Sequence, residues 1–363
     1  MPNRKGPGMK APAFARILGL AVTASFSLLP ATSSPSSDRQ TITEALEWVR
    51  ATPQHAVQYN YGMTARVRLL VFWAGKDDVG GGYIRRGVSA EDPRKEIFQV
   101  LFGSDPAKAP RAINRWGAGT EVSWHKQPVN LRFSQEDVTA SAFFGFMKSS
   151  RGNSAAEMQQ ELKREREVGQ HSFTGILSRV EPANALSLVT GLESDTDYNL
   201  RDYDRAEPVM LEHLTRSLQP IRSLKKDSRC PRAEEFLASV AELMDAALAG
   251  HQGPESRCYV YDAQENTLTL ERISPVNVLP VRIHGPHDTL LFDSSYSNLL
   301  ELDYVSTHKA TGKKVYFSIF LGTQGNLRDV PVQIRYQPNW WFQVVLNLLP
   351  DEGNSPAGTA GLR

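Results

Sequence analysis

The last third of the chain alternates between apolar and polar residues, and no other feature of the sequence constrains the fold as strongly. In the segment 314–322, for example, Val315, Phe317, Ile319 and Leu321 fall on one face of an extended strand. Segments of this kind occur at 257–262, 266–273, 299–307, 314–322, 330–336 and 341–349. Because short links rich in Gly, Pro, Asn and Thr separate them, they predict an antiparallel meander that is apolar on one side.

Such a sheet has to cover its apolar face, either by curling around a helix or by closing on itself. The segment 231–249 provides the helix, because Pro231 stands near its start, Glu234 and Glu235 lie in its first turn and Gly250 follows its end. Its apolar stripe consists of Phe236, Val240, Leu243 and Ala247. We therefore expect this helix to fill the curved sheet.

The first half of the chain also favours strands, which the pattern predicts at 63–73, 96–102, 120–125, 141–148 and 172–190. The Gly-rich segment 75–82 is interpreted as a turn that follows the first of them. Further helices are predicted near 42–50, 154–168 and 207–218. The predicted fold class is therefore α+β and β-dominated, with antiparallel meanders that form curved sheets or open barrels.

The N-terminus has the layout of a secretory signal peptide. Four basic residues and no acidic residue precede the apolar run 17–29. This run is shorter than the roughly 20 residues that a membrane-spanning helix needs, and Ala31 and Ser33 supply the small residues that a signal peptidase accepts. The sequence therefore predicts export, cleavage near Ser33, and a mature chain that is soluble in a periplasmic or extracellular space and has no transmembrane anchor.

This interpretation divides the chain into six segments. They are a signal peptide at 1–33, a flexible N-terminus with a short helix at 34–58, a β-rich domain at 59–200, a helical connector at 201–255, an antiparallel β domain at 256–350 and a disordered tail at 351–363. Whether the two β-rich segments share one sheet does not follow from the sequence.

The charge balance of the chain gives no electrostatic reason to expect nucleic acid or an anionic membrane as a partner. The full chain has 41 basic and 40 acidic residues. Removing the signal peptide takes away four basic residues and no acidic ones, which leaves 37 against 40 and a net charge of −3. No motif for a cofactor occurs, since the three glycines at 80–82 are not followed by the Lys-Ser/Thr pair of a phosphate-binding loop.

Two cysteines, Cys230 and Cys258, are predicted to form a disulfide in an oxidising compartment. The bond would close a loop of about 28 residues, and a loop of that length stabilises the fold by on the order of 3 kcal/mol in the chain-entropy model. Two alternatives stay open, namely a pair of buried thiols that do not meet and a catalytic cysteine.

Two short clusters contain residues that are able to do chemistry. His284 and His287 flank a Gly-Pro turn and are weak candidates for metal ligands. Asp77 and Asp78 are adjacent carboxylates that could act as acid and base. The structural alternative is a tightened hairpin turn, because Asp side chains accept backbone hydrogen bonds there.

Aromatic residues suggest a binding site. Trp340 and Trp341 open the last predicted strand and must point to opposite faces, so at least one ring lies outside the main core or at an opening. Together with Tyr336 they are the candidate ligand-binding residues, at the mouth of an apolar cavity in the curved sheet. The alternative is ordinary packing in the core and along the sheet edge.

The C-terminal part, roughly 256–349, resembles a group of uncharacterised exported bacterial β proteins of unknown function. The shared features are a Cys-containing first strand that ends in Tyr-Asp, here 258–262, and a late Val-Pro-Val strand, here 330–334, followed by a final apolar strand. The resemblance implies a periplasmic curved sheet or open barrel with no assigned activity. It adds no site residue.

These observations favour a non-enzymatic binding protein for a hydrophobic or envelope-derived ligand. A secreted hydrolase is the first alternative, either with its chemistry near Asp77 and Asp78 or metal-dependent, with a metal held by His284 and His287. A structural or assembly factor of the cell envelope is the second. A bound lipid would support the first interpretation, and a stoichiometric metal ion would support a metal-dependent hydrolase.

Overall fold

The computed structural model of the chain describes eleven stretches of sequence. They are residues 43–44, 46–50, 53–69, 72–129, 138–148, 155–181, 184–216, 222–225, 235–261, 264–339 and 342–350. The predicted signal peptide and C-terminal tail lie outside the described residues, as do Cys230, Trp340 and Trp341.

In the described part of the chain, strands dominate and form one antiparallel sheet of fourteen strands. The strands are β1 (Pro53–Leu69), β2 (Phe72–Ser89), β3 (Lys95–Ser104), β4 (Trp116–His125), β5 (Val138–Lys148), β6 (His171–Glu181), β7 (Asn184–Ser194), β8 (Arg222–Lys225), β9 (Glu255–Tyr261), β10 (Gln264–His284), β11 (Leu290–His308), β12 (Lys314–Gly322), β13 (Pro331–Asn339) and β14 (Phe342–Leu348). The helices are α1 (described at 43–44 and 46–49), α2 (Ala155–Val168), α3 (Tyr203–Arg216) and α4 (Phe236–Leu248).

The strand order is β8-β7-β6-β5-β4-β3-β2-β1-β14-β13-β12-β11-β10-β9, and the sheet nearly closes into a barrel. Most strands pair with their neighbour in sequence, as a meander requires. The exception is the pair β1–β14, which joins the two β-rich halves into one sheet, for example through Met63 and Leu346. The prediction of a β-dominated antiparallel fold that forms a curved sheet or open barrel is therefore confirmed.

The sheet buries residues on both faces, and the pairing register shows which residues share a face. Ile319, Ile334, Leu346 and Met63 pair in succession across four neighbouring strands and therefore lie on one face. We call this the inner face, because α4 on this side contacts β9, β10 and also β4, which is far from them in the sheet order. The opposite, outer face of β3–β7 is covered by α1 and α3, whose buried residues include Leu46 and Leu214.

The first predicted strand, 63–73, is wrong, because it contains the end of β1 and the beginning of β2. The register pairs Leu69 with Phe72, so the chain reverses inside the apolar run. The predicted Gly-rich turn at 75–82 is also wrong, since those residues belong to β2. Glycine is needed there for close packing: a Cβ on Gly82 would stand 1.7 Å from the carbonyl oxygen of Leu101 on β3.

Three other boundaries differ from the predictions. The single strand predicted at 172–190 is the pair β6 and β7. Helix α3 begins at Tyr203 instead of 207, because Asn199 and Asp202 form a capping box just before it. Helix α4 begins at Phe236 instead of 231, and Glu235 is its N-cap residue with an extended backbone.

The β10–β11 hairpin is much longer than the strands predicted at 266–273 and 299–307. Its far half extends beyond β12 and lies against β1 and the end of β14. A Cβ on Gly62 of β1 would stand 3.4 Å from Cδ1 of Ile283, and the Tyr296 hydroxyl donates a 3.0 Å hydrogen bond to the carbonyl oxygen of Leu348. The segment around His284 is therefore the end of a long hairpin that packs on the sheet.

One of the two cysteines of the predicted disulfide lies in the described part of the chain. Cys258 lies on β9, directly opposite Thr267 of β10, whereas Cys230 lies outside the described residues, so the bond stays a prediction. We expect the mass of the alkylated mature chain, measured with and without prior reduction, to differ by two alkyl groups. Alkylation of both thiols without a reductant would contradict the pairing.

Among the described residues, no helix combines the length and the apolar character that crossing a membrane requires.

Candidate functional site

The inner face of β9–β12 forms an aromatic surface, and α4 lies on it. The ring of Phe236, the first residue of α4, is 5.4 Å from the ring of Tyr259 and 5.9 Å from that of Phe317. The rings of Phe317 and Tyr304 stack at 4.8 Å. Further along α4, buried apolar residues such as Leu243 pack into the same cluster. The inner face therefore binds a mainly apolar helix through aromatic and aliphatic contacts.

The N-terminus of α4 is fixed by Glu121, which comes from β4. The backbone N–H of Leu237 donates to Oε2 of Glu121 at 2.9 Å, and the N–H of Ala238 donates to Oε1 at 2.8 Å. The first N–H groups of a helix have no partner within the helix, and the positive end of the helix dipole favours a carboxylate. Glu121 therefore replaces the side-chain cap that Glu235 does not provide.

Glu121 and Glu235 together form a buried pair of acidic groups. The Ser178 hydroxyl of β6 donates a 2.6 Å hydrogen bond to Oε1 of Glu235. Burial raises the pKa of Glu235 well above its ordinary value, and the nearby charge of Glu121 raises it further. Burial also raises the pKa of Glu121, to about 7, although its two backbone hydrogen bonds act in the opposite direction. Near neutral pH, therefore, the two groups do not both carry a full negative charge.

A second buried cluster lies beside this pair and is stabilised by opposite charges. The Arg86 guanidinium donates to Oε1 of Glu96 at 2.5 Å, and Nε2 of His125 lies 3.2 Å from Oε2 of the same carboxylate. Burial alone would raise the pKa of Glu96, but the charge of Arg86 and the His125 contact outweigh it, and the pKa lies below its ordinary value. Glu96 is therefore held as a carboxylate.

Helix α4 contributes a further acidic group to this interior. Burial raises the pKa of Asp245 to about 7, while the charge of Arg86 lowers it. One turn earlier, Glu242 forms a 2.9 Å ion pair with Arg257 of β9. The inner face thus combines an aromatic surface with acidic groups that position one helix. Apart from Glu235, which the sequence places at the start of the helix, these groups could not be identified from the sequence, and the one available signal was the acidic residue Glu121 inside an otherwise uncharged strand.

The predicted ligand-binding residues are only partly placed. Tyr336 lies on β13 directly opposite Val344 and Phe317, half-buried on the inner face. Trp340 and Trp341 lie outside the described residues. Their role at the mouth of a cavity stays a prediction.

The structure brings two of the other candidates together. Asp77 accepts hydrogen bonds from the Thr64 hydroxyl at 2.9 Å and from the backbone N–H of His284 at 3.0 Å, and its Oδ2 lies 3.4 Å from Nδ1 of the same histidine. Asp78 instead forms a 2.9 Å ion pair with Lys108. The two carboxylates thus have separate partners, and Asp77 connects the β10–β11 hairpin to β1 and β2.

The expected position of Asp77 and Asp78 at a hairpin tip is wrong, because both lie inside β2, where the β1–β2 register shifts. His287 is exposed on the β10–β11 connection. Nowhere in the described ranges do three or more His, Cys, Asp or Glu side chains form a group that could hold a metal ion.

Comparison with known proteins gives no relative: no family model, no curated protein and no solved structure matches this chain. The resemblance of 256–349 to exported bacterial β proteins therefore stays a prediction.

Proposed function

We propose that this chain is an exported, non-enzymatic binding protein for a hydrophobic or envelope-derived ligand, and that the ligand site is the inner face on which α4 lies. One observation carries the proposal: the inner face already binds an apolar occupant, α4, through Phe236 and Leu243 against aromatic strands. A surface of this chemistry also suits an acyl chain or another apolar group. Export is supported by the signal-peptide layout of residues 1–33.

The connection between α4 and β9 has a backbone that would allow α4 to move away from the inner face. Gly250 and Gly253 have φ angles of 87° and 118°, values that favour glycine, and no heavy atom lies within 4 Å of where a Cβ would stand on either one. The connection is exposed. Rotation about these glycines would move α4, break its contacts with Glu121, Ser178 and Arg257, and uncover Tyr259 and Phe317.

Helix α4 and the ligand would therefore compete for the inner face. Leu243 is fully buried between α4 and the inner face. Its truncation to alanine reduces the free energy of packing of α4 on that face by roughly 2–5 kcal/mol. The Leu243→Ala variant should therefore bind an uncharged apolar fluorophore, N-phenyl-naphthylamine, at least about tenfold more tightly than the unmodified chain, which corresponds to about 1.4 kcal/mol. The measurement is a fluorescence titration of the mature chain.

Leu214→Ala is the matched control. Leu214 is equally buried, but it lies on α3 at the outer face, so its truncation destabilises the fold without freeing the inner face. Equal affinities of the two variants would show that the fluorophore does not compete with α4. Absence of fluorophore binding by every variant, together with absence of lipid in an organic extract of the natively purified chain, would overturn the proposal.

A further inference from the structure

A basic residue, Arg257, borders the aromatic part of the inner face. It lies on β9, the last strand in the order of the sheet, directly opposite the buried Leu268 of β10. Because alternate residues of a strand share a face, Arg257 points to the same side as Tyr259, two positions further along β9. The Arg257 side chain is 24% exposed. The cation is therefore partly accessible at the rim of the surface on which α4 packs.

Helix α4 supplies a carboxylate to this cation. Oε2 of Glu242 lies 2.9 Å from Nε of Arg257, and the Glu242 side chain is only 10% exposed, so the ion pair is largely removed from water. Glu242 directly precedes Leu243, whose side chain is buried in the aromatic and aliphatic cluster. The present occupant of the inner face therefore combines a carboxylate with an apolar body.

The other contacts of Arg257 leave room for an anion on the Nε side of its guanidinium. Nη1 donates to the carbonyl oxygen of Ser256 at 3.2 Å, and Nη2 donates to Oε2 of Glu255 at 3.3 Å. Glu255 is shared, because its Oε1 lies 2.9 Å from Nδ1 of His251. Nε is buried and makes no aligned hydrogen bond within the described part of the chain, despite its short distance to Glu242. A ligand oxygen that takes its own position can satisfy this donor better than a side chain fixed on a helix.

We infer that the ligand of the inner face is a fatty acid, and that Arg257 selects its carboxylate. The ligand carboxylate takes the place of Glu242 beside Nε, and the acyl chain takes the place of the apolar stripe of α4 on Tyr259 and Phe317. A hydrogen bond between a guanidinium and a carboxylate is stronger than one between neutral groups and has a preferred direction. The inference rests on the proposed function, because the acyl chain needs the inner face that α4 leaves.

The charge of Arg257 favours an acid over other head groups. When α4 moves, Glu242 leaves with it, and a largely buried guanidinium that loses its carboxylate is destabilised. A fatty alcohol does not restore the charge balance, and an alkylamine adds a second positive charge. A carboxylate replaces the lost one, so the guanidinium stays paired while the apolar surface exchanges one occupant for another.

The test compares decanoate with decanol, two ligands that share a chain length and differ in the head group, by isothermal titration calorimetry of the mature chain at neutral pH. We expect decanoate to bind at least about tenfold more tightly than decanol, because its hydrogen bond joins two charged groups. Arg257→Gln should abolish this preference. Decanol should bind that variant as tightly as the unmodified chain or more tightly, since α4 loses an ion pair. A purely structural role of Arg257 would instead shift both affinities in the same direction and by the same factor.

Glu242→Gln is a second variant with an independent outcome. Its amide keeps the size of the side chain but no longer competes as an anion for Arg257, so the preference for decanoate over decanol should increase. Arg272→Gln is the matched control. Arg272 is an exposed arginine that also pairs with a carboxylate, that of Asp303, but both lie on the outer face. The control should keep the preference of the unmodified chain.

Two outcomes would overturn the inference alone. They are equal affinities of the unmodified chain for decanoate and decanol, and a preference for decanoate that survives in Arg257→Gln. In both cases binding of decanol or of the uncharged fluorophore still supports the proposed function, so the two failures are distinguishable. Absence of binding by decanoate, decanol and the fluorophore would overturn both. Circular dichroism of each variant ensures that a loss of binding is not a loss of fold.

Discussion

Replacing Arg86 with methionine is expected to lower the free energy of unfolding at pH 7 by about 3–5 kcal/mol. Methionine keeps much of the length of the side chain but removes the charge that binds Glu96 at 2.5 Å. The Glu96 side chain is almost fully buried, and in the variant it keeps the contact with His125 but loses its cation. A buried carboxylate that loses its cation cannot recover its hydration, and this penalty outweighs the loss of the hydrogen bond itself. Urea denaturation measures the change.

Arg85→Met is the control for this substitution. Arg85 precedes Arg86 on β2, faces the other side of the sheet, and donates to the neutral amides of Gln58 and Gln99. Because no charge is left unpaired, we expect a loss of only about 1–2 kcal/mol. The double variant Arg86→Met/Glu96→Gln should recover part of the stability that Arg86→Met loses. Equal losses from the two arginine variants would show that the buried ion pair contributes no more than the three part-buried hydrogen bonds of Arg85.

Local patterns were sufficient to predict most of the C-terminal strands. The predicted segment 314–322 coincides with β12, and 330–336 and 341–349 differ from β13 and β14 by only a few residues. Alternation is a property of one strand, so the sequence of that strand specifies it. Helix α4 was likewise predicted from its apolar stripe, and its position on the inner face follows from the need to cover that face.

The β1–β2 hairpin could not be predicted, because its turn has the sequence of a strand and its second strand contains the sequence of a turn. The turn lies in an apolar run between Leu69 and Phe72, while the glycines that resemble a turn lie within β2. Those glycines are needed where β2 approaches its neighbours: a Cβ on Gly81 would stand 2.5 Å from the carbonyl oxygen of Tyr61. Close approach between strands depends on the register of distant segments, which a local pattern does not contain.

The buried acidic groups were missed for a related reason. Glu121 and the backbone N–H of Leu237 are 116 positions apart in the chain. An acidic residue on a strand normally faces solvent, and only the position of α4 makes Glu121 a helix cap. By contrast, the sequence singled out both Asp77 and His284, yet their contact depends on how the long β10–β11 hairpin packs on the sheet.

The free energy of unfolding is expected to fall as the pH rises from 5 to 8, because burial raises the pKa values of Glu121, Glu235 and Asp245. Below the pKa values of the unfolded chain, about 4.3 for Glu and 3.9 for Asp, these groups are protonated in both states and the folded state has no penalty. At higher pH they ionise in the unfolded chain first, and this stability is lost as the pH rises toward the raised folded pKa values, which are about 7 for Glu121 and Asp245. Asp245 alone, with a pKa of about 7, should contribute a difference on the order of 3 kcal/mol.

A histidine has the opposite effect on the pH dependence of stability between pH 5 and pH 8. Burial lowers the pKa of His171, so protonation of the unfolded chain removes some stability below about pH 6.5. Glu96, whose pKa is lowered, loses its contribution only below about pH 4.3, outside the range. Among the described residues, four carboxyl groups with raised pKa values, Glu207 of α3 included, outweigh this one histidine and leave a net loss of stability from pH 5 to pH 8. Urea denaturation at several pH values measures it, and a constant or rising stability would contradict the assignment.

Glu235→Gln should flatten this dependence. Its amide oxygen still accepts from the Ser178 hydroxyl, but the side chain no longer ionises, and Glu121 then caps α4 without a second carboxyl group beside it. The control is Glu212→Gln, an exposed i,i+4 partner of Arg216 on α3, which should shift the profile by no more than about 0.5 kcal/mol at every pH. Similar slopes for both variants would exclude Glu235 as a cause.

The same ionisation connects pH to the proposed ligand. When both Glu121 and Glu235 are charged, they repel each other at the point where α4 begins, so the helix is held less firmly at pH 8 than at pH 5. If α4 and an apolar ligand compete for the inner face, binding of N-phenyl-naphthylamine should strengthen across this range, because the fluorophore itself stays uncharged. Glu235→Gln should remove most of that increase and leave an affinity close to the value at pH 5. An increase that survives in this variant would mean that the acidic pair stabilises the fold without controlling access to the inner face.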